Sequence, residues 1–229
     1  MNMKLSNKIL IGFFGFIFVY MIAAFTEIRF RGNLNHLDES SSIVETTDVS
    51  GFTYLVLQDL DESVTLVGSE QPGIEVRSIS GDLLKNLEYT LRGDTLELVQ
   101  LKLADDEHLN LIVYVPNNSF IGMAVNGANV VVKGLDQKQL TITQNGGRIR
   151  FVEDNKLEKL SIQASENGNL NFAGTKLDTL SVLLNNSNIV IESGAIRVEG
   201  TMTNESYLRM RHVDDIEFKK DGTSRLYLN

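Results

Sequence analysis

The sequence of 229 residues contains no cysteine, no tryptophan, two prolines and three histidines. Without cysteine the chain forms no disulfide, no thiolate metal site and no thiol nucleophile. Aromatic residues make up only 7% of the chain. This scarcity of proline and aromatic residues is typical of a regular, repetitive scaffold.

Sequence motifs for catalysis and metal binding are also missing. His36, His108 and His212 have no second His or Glu at the spacing of helical metal ligands. No G-x-S-x-G nucleophile elbow and no glycine-rich phosphate loop occurs. Two acidic clusters, 59–62 and 105–107, match no EF-hand pattern, so solvated loop charge is favoured over Ca²⁺ ligation. We predict a protein that is not an enzyme, with no catalytic residues, cofactor or metal site.

Positive charge is scarce beyond the N-terminus. From Asn33 onward the chain holds 29 acidic and 17 basic residues, since only one acidic and four basic residues come earlier, and its net charge there is −12. An acidic surface disfavours binding to nucleic acid and tight docking on anionic lipid. We therefore predict no nucleic-acid partner, and the charge is best interpreted as a contribution to solubility.

Instead, the sequence repeats itself. The segment KLEKLSI at Lys156–Ile162 recurs as KLDTLSV at Lys176–Val182, and the apolar-x-x-apolar-x-apolar pattern returns at Val213–Phe218. A fixed period of this length indicates stacked structural repeats. Leu160 and Ile162 alternate with polar residues, which is the period of a strand with one buried face.

Each repeat predicts two strands joined by a corner rich in Asn and Gly, where a positive φ is best tolerated. We predict an all-β fold, a β-solenoid (β-helix-like) with rungs of roughly 17–20 residues, plus one N-terminal transmembrane helix. Stacked corner asparagines can hydrogen-bond from rung to rung as a scaffold, and an asparagine-lined ligand groove is the alternative interpretation. The predicted inward pairs are Met123/Val125, Val130/Val132, Leu140/Ile142, Ile149/Phe151, Leu160/Ile162, Leu170/Phe172, Leu180/Val182, Ile189/Ile191, Ile196/Val198, Leu208/Met210, Ile216/Phe218 and Leu226/Leu228.

The N-terminus holds an uncharged apolar run, Ile9–Phe25, preceded by Lys4 and Lys8. At about 1.5 Å per residue this run nearly spans a bilayer core of ~30 Å, and the basic flank favours a cytoplasmic N-terminus. We predict an uncleaved signal anchor over 1–30, which places a single-pass protein in the bacterial inner membrane with its C-terminal domain in the periplasm. The alternative is a cleaved signal peptide and a secreted or cell-surface protein.

Three further regions follow the anchor. Residues 31–50 are polar and predict a linker. Residues 51–119 contain strand patterns at irregular spacing, including a hairpin across Gly93-Asp94, and predict a capping region for the first rung. Residues 120–229 carry the solenoid rungs.

The order of these segments resembles a known family. The segment VYVP at Val113–Pro116 is followed by VNGAN at Val125–Asn129 and then by the L-x-I rungs. This order is similar to that of the putative auto-transporter adhesin, head GIN domain family, common in exported proteins of Bacteroidetes, and would cover Val49–Asn229. The resemblance implies a β-helix-like fold and an adhesion role, without catalytic or binding residues. Many such proteins look like lipoproteins or carry cleaved signals, whereas this chain has an apparent membrane anchor and no cysteine.

We predict a non-enzymatic, membrane-anchored, envelope-facing binding or scaffold module, adhesin-like, with a protein or glycan partner. The alternative is an accessory subunit of an inner-membrane, transporter-type complex, and a carbohydrate-active β-helix enzyme is a third, less favoured hypothesis. The final strand has nothing after it to cover its edge, so we expect a partner, or a second copy in a weak homo-oligomer, at the C-terminal rung. The candidate interaction residues at that end are Arg209, Arg211, Lys219, Lys220 and Arg225.

Overall fold

The computed structural model describes residues 13–23, 42–58, 60–101, 109–152 and 154–228. The chain divides into two units, residues 1–42 and 43–229. In the first unit, residues 13–23 form an α-helix, α1. In the second, a short 3₁₀ helix covers Leu84–Asn86.

Strands make up the second unit. In chain order they are β1 (Ile43–Asp48), β2 (Tyr54–Gln58), β3 (Val64–Ser69), β4 (Gly73–Ser78), β5 (Leu87–Arg92), β6 (Thr95–Leu101), β7 (Leu109–Pro116), β8 (Gly122–Asn126), β9 (Asn129–Lys133), β10 (Asp136–Asn145), β11 (Arg148–Phe151), β12 (Lys156–Ser165), β13 (Asn169–Phe172), β14 (Leu177–Asn185), β15 (Asn188–Ile191), β16 (Ala195–Thr203), β17 (Tyr207–Met210), β18 (Val213–Lys220) and β19 (Arg225–Leu228).

These strands form two long sheets. Sheet A runs β1-β4-β7-β3-β9-β11-β13-β15-β17-β19, and sheet B runs β18-β16-β14-β12-β10-β8-β2-β6-β5. From β8 onward the chain alternates between sheet B and sheet A, and each strand pairs in parallel with the strand one turn later. This alternation is a β-solenoid, so the predicted all-β class and solenoid architecture are confirmed.

The core register follows the repeat in the sequence. Leu160 stacks on Leu180 and Ile162 on Val182, and all four side chains are buried. Later turns are shorter, because Leu180 pairs with Val198, 18 residues on rather than 20. The inward positions of successive turns therefore form continuous apolar columns between the two sheets.

Left-handed backbone marks the Asn/Gly corner, as the sequence predicts. Asn167, Asn186 and Asn204 have φ values of 61°, 50° and 54°. At two of these corners a glutamate, Glu166 or Glu205, also has positive φ. Backbone hydrogen bonds join neighbouring corners, for example from Asn167 N to Asn186 O at 2.8 Å.

The N-terminal strands enter the stack out of chain order. β8 pairs with β2 rather than with β6, and β2 in turn pairs with β6, both in parallel. β3 likewise lies between β7 and β9. The beginning of the stack is closed by antiparallel strands, β1 on β4 and the predicted hairpin of β5 with β6.

One predicted inward position is wrong. Ile196 is 47% exposed, because the short segment before β16 places Ala195 in the buried column that holds Leu177 one turn earlier. Ile216 and Leu228 lie at inward positions, stacked on Val198 and Met210, but are 41% and 45% exposed. Among the described residues β18 and β19 are the last strands of their sheets, so no later turn covers these two side chains.

The predicted transmembrane helix is not shown by the described residues. No helix among them has both the length and the apolar character needed to cross a bilayer. The ends of the predicted segment, residues 9–12 and 24–25, lie outside the described ranges.

Candidate functional site

A shallow groove of about 510 Å³ lies on the outer face of sheet B, where β12, β14, β16 and β18 run side by side. We call it the sheet B groove. Two rows of outward side chains cross it. The serine–glutamate row is Ser161, Ser181, Glu199 and Glu217, and the mixed row is Gln163, Leu183, Thr201 and Lys219.

Both rows follow from parallel, in-register pairing. Residues at matching positions of neighbouring strands stand about 4.7–4.9 Å apart, so the rows present hydrogen-bonding groups at a regular interval. Leu183 interrupts the mixed row and is 51% exposed. The groove thus offers polar contacts in two lines with one apolar contact between them.

Gly200, in β16 at the groove, has a backbone conformation that residues with a side chain rarely adopt. Its φ is +151°, and a Cβ at this position would lie 2.0 Å from the carbonyl oxygen of Val182. Only glycine allows β16 to approach β14 this closely. A glycine inside a strand is a known sign of close backbone approach, so Gly200 is the signal in the sequence that points to this site.

Arg197 organises the charges beside the groove. Its guanidinium lies 3.3 Å from Glu199, 3.3 Å from Asp215 and 2.9 Å from Glu217. Ser181 Oγ donates a hydrogen bond to Glu199 Oε1 at 2.9 Å. The hydrogen bond from Ser181, followed by that from Arg197, lowers the pKa of Glu199 below its usual value.

The lowered pKa of Glu199 does not suit the acid catalyst of a glycoside hydrolase. An acid catalyst needs a carboxyl group whose pKa is raised, so that it is protonated near neutral pH. Glu199 has the opposite shift and stays ionised. Glu199 therefore serves as a hydrogen-bond acceptor at the groove, as it does for Ser181.

The Asn/Gly corners form a second groove, also of about 510 Å³, lined by Glu166, Asn185, Asn186, Asn204, Glu205 and Thr223. Asn204 Nδ2 donates to Asn185 Oδ1 at 2.6 Å. These amides are thus used for contacts between turns, which supports the scaffold interpretation of the asparagine ladder. Within the described ranges no three His, Asp or Glu side chains are placed to hold a metal ion.

The candidate interaction residues at the C-terminal end are spread over both sheets. Arg209 on β17 and Arg225 on β19 lie in sheet A, where Tyr207 and Tyr227 pack with ring centroids 5.4 Å apart. Lys219 belongs to the mixed row of sheet B.

The other two candidates lie at the corners of the stack. Lys220 Nζ donates to the carbonyl of Ser224 at 3.2 Å and thereby closes the last Asn/Gly corner. Arg211 lies at the opposite corner, between β17 and β18. The structure brings Arg209 and Arg225 onto neighbouring strands and places the other three elsewhere.

Comparison with known proteins supports the fold. Residues 51–212 match the model of a family described as putative auto-transporter adhesin, head GIN domain. The crystal structure of a putative adhesin from Bacteroides fragilis is similar, with a TM-score of 0.59 and 10% identity, over 82% of this chain and 97% of that chain. A putative adhesin from Parabacteroides distasonis gives 0.55 and 11%, over 82% and 92%. Identities this low show the fold alone, and no curated protein matches the chain.

Proposed function

This chain belongs to the putative auto-transporter adhesin, head GIN domain family, and from that premise we propose that it is a non-enzymatic, adhesin-like module that binds an extended glycan along the sheet B groove. The observation that carries this proposal is the pair of regular rows that cross four neighbouring strands. A polymer with a repeating unit can contact such rows at several turns at once, and the weak contacts add together.

The chemistry of the rows favours a glycan. Hydroxyl, amide and carboxylate groups, as in Ser161, Gln163 and Glu199, are donors and acceptors for sugar hydroxyls. Leu183 supplies an apolar contact for the C–H face of a sugar ring. The acidic character of the chain favours a neutral or basic glycan over a strongly anionic one.

A test of this function is a glycan array probed with the full chain and two matched variants. Leu183→Arg places a long charged side chain in the groove and is expected to abolish binding. Asn171→Arg makes a comparable change on the outer face of sheet A, at the middle of β13, and is expected to leave binding intact. Equal binding by both variants would contradict the groove as the binding site.

The location of the module in the cell envelope is part of the proposal. The apolar run Ile9–Phe25 supports an inner-membrane anchor with the solenoid in the periplasm, and a secreted or cell-surface form after cleavage is the alternative. An anchored protein is expected to resist carbonate extraction and to keep its N-terminus. A mature start near Thr26, with soluble protein, would favour cleavage.

A second candidate function is that of an accessory subunit of an inner-membrane, transporter-type complex. The same apolar run supports it, because an anchor can also contact a membrane partner. Replacing residues 1–30 with an unrelated anchor distinguishes the two functions. Glycan binding is expected to survive this exchange, whereas assembly with a membrane partner that requires the native segment would be lost.

A further inference from the structure

The C-terminal end of the solenoid presents the edges of both sheets. β18 is the last strand of sheet B and β19 the last of sheet A. In the part of the chain that the structure describes, β18 pairs only with β16 and β19 only with β17. A free strand edge exposes N–H and C=O groups that can pair with another chain.

Core-type side chains are exposed at this end. Val198 and Met210 are fully buried, whereas the residues stacked on them one turn later, Ile216 and Leu228, are 41% and 45% exposed. Phe218, stacked on Gly200, is only partly covered. Among the described residues, the last turn therefore leaves the end of the apolar columns open.

The charges of β18 are complementary to those of a second β18 in reverse orientation. Acidic Asp215 comes early in the strand and basic Lys219 comes late, with Glu217 between them. We propose that this end binds a second copy of the chain by antiparallel pairing of β18 with β18 of the copy, centred on Glu217. The contact is two-fold symmetric, so it closes after two copies rather than growing into a fibre.

This register satisfies both faces of the strand. In an antiparallel pair, directly opposed residues point to the same face. Centring on Glu217 places Asp215 opposite Lys219 of the copy, twice, on the outer face. On the inner face it places Ile216 opposite Phe218 of the copy, so that each covers the exposed apolar surface of the other.

Shifted registers are less favourable. Centring on Ile216 would oppose Asp215 to Glu217 of the copy, twice. Centring on Phe218 would oppose Glu217 to Lys219 but also Asp215 to Asp221. The shifts above keep the same faces together because each changes the pairing by two residues. A change of one residue would place Ile216 opposite Glu217 of the copy and would turn the apolar side chains of the copy to the outer face. The proposed register contains a single like-charge contact, between the two Glu217 side chains. In each copy the guanidinium of Arg197 lies 2.9 Å from the Glu217 of the same chain and offsets its charge.

Cysteine cross-linking tests the contact directly, because the chain contains no cysteine. Opposed residues of an antiparallel pair have Cα atoms about 4.5–5.5 Å apart, within the range of a disulfide. Glu217→Cys in the full chain, in membranes or in detergent, is expected to form a disulfide-linked dimer under mild oxidation. Glu199→Cys is the matched control, since it lies one strand further from the axis and its two copies would be separated by about 14 Å.

A charge exchange tests the register. Asp215→Lys alone and Lys219→Asp alone each convert two attractive contacts into two repulsive ones, and each is expected to weaken self-association about tenfold or more, as measured by sedimentation at low salt. An equimolar mixture of the two variants restores both attractive contacts and is expected to dimerise again. Lys159→Asp, on the same sheet face but three strands from the end, should change nothing.

Three outcomes would overturn the proposal. One is the absence of a disulfide at position 217, and another is an equal yield at position 199. The third is a mixture of the two charge variants that stays monomeric while the unaltered chain dimerises. Thermal unfolding of each variant shows whether it keeps its fold, so a misfolded variant cannot be taken for a failed contact.

Discussion

At the scale of single residues, the solenoid separates neighbours with very different roles. Leu160 and Leu180 point inward and are buried, whereas Ser161 and Ser181 point outward in the next position. The two serines also differ, because Ser181 donates a hydrogen bond to Glu199. The chemistry of a position therefore depends on its neighbour one turn away as well as on its own strand.

The first prediction concerns this alternation. Leu180→Ala is expected to lower the free energy of unfolding by about 2–5 kcal/mol, because it removes packing from a filled column. Ser161→Ala should change it by no more than about 0.5 kcal/mol. Equal losses in urea unfolding of the two variants would show that the assigned register is wrong.

Gly200 carries the second residue-scale prediction. Gly200→Ala is expected to destabilise the fold by about 1–3 kcal/mol, since a Cβ would meet the carbonyl oxygen of Val182 in a strained conformation. Gly222→Ala is the control, because a Cβ there has no atom within 4 Å. A thermal midpoint that is unchanged in Gly200→Ala would contradict the close approach of β16 to β14.

At the scale of elements, the last corner depends on one carboxylate. Asp221 accepts hydrogen bonds from the backbone of Ser224 at 2.8 Å, of Asn204 at 2.7 Å and of Thr223 at 3.1 Å. The contacts from Ser224, followed by that from Asn204, lower the pKa of Asp221 far below its ordinary value. Asp221 thereby joins the corner after β16 to the corner after β18.

The third prediction follows from the sign of this shift. A carboxyl group with a lowered pKa in the folded state stabilises the fold above its unfolded pKa of about 3.9, and this contribution is lost as the pH falls further. The last turn is therefore expected to loosen below about pH 4. Asp221→Asn should show faster amide exchange at the last corner already at pH 7, and its exchange should depend less on acidification than that of the parent.

At the scale of the whole molecule, stability is carried from turn to turn. Each turn contacts only its neighbours, so the end turns have half of the contacts of a central turn. The N-terminal side is closed by the antiparallel strands β1 and β5, whereas β18 and β19 have no such cover among the described residues.

The fourth prediction is a gradient of local stability. Amide hydrogens of β18 and β19 are expected to exchange faster than those of β12 and β14 in dilute, monomeric protein, because the last turn can open without unfolding the rest. Hydrogen exchange measured strand by strand checks this. Uniform protection from β12 to β19 would indicate a single cooperative unit instead.

The sequence by itself determined the repeating part of the fold. Alternating apolar residues at Leu160/Ile162 and Leu180/Val182 specify strands with one buried face, and a period of about 20 residues specifies stacked turns. Asn and Gly at one corner specify left-handed backbone. All of these signals are local or periodic, so a single chain contains them.

Only the tertiary structure decided the rest. The local pattern does not predict that β2 lies between β6 and β8, or that β3 lies between β7 and β9. These positions depend on which strand edges remain unpaired once the chain has reversed direction. The groove over Gly200, and the placement of Asp215 and Glu217 beside Arg197, arise from pairing of strands 18 residues apart. Side chains meet there through register, and register is a property of the assembled sheets.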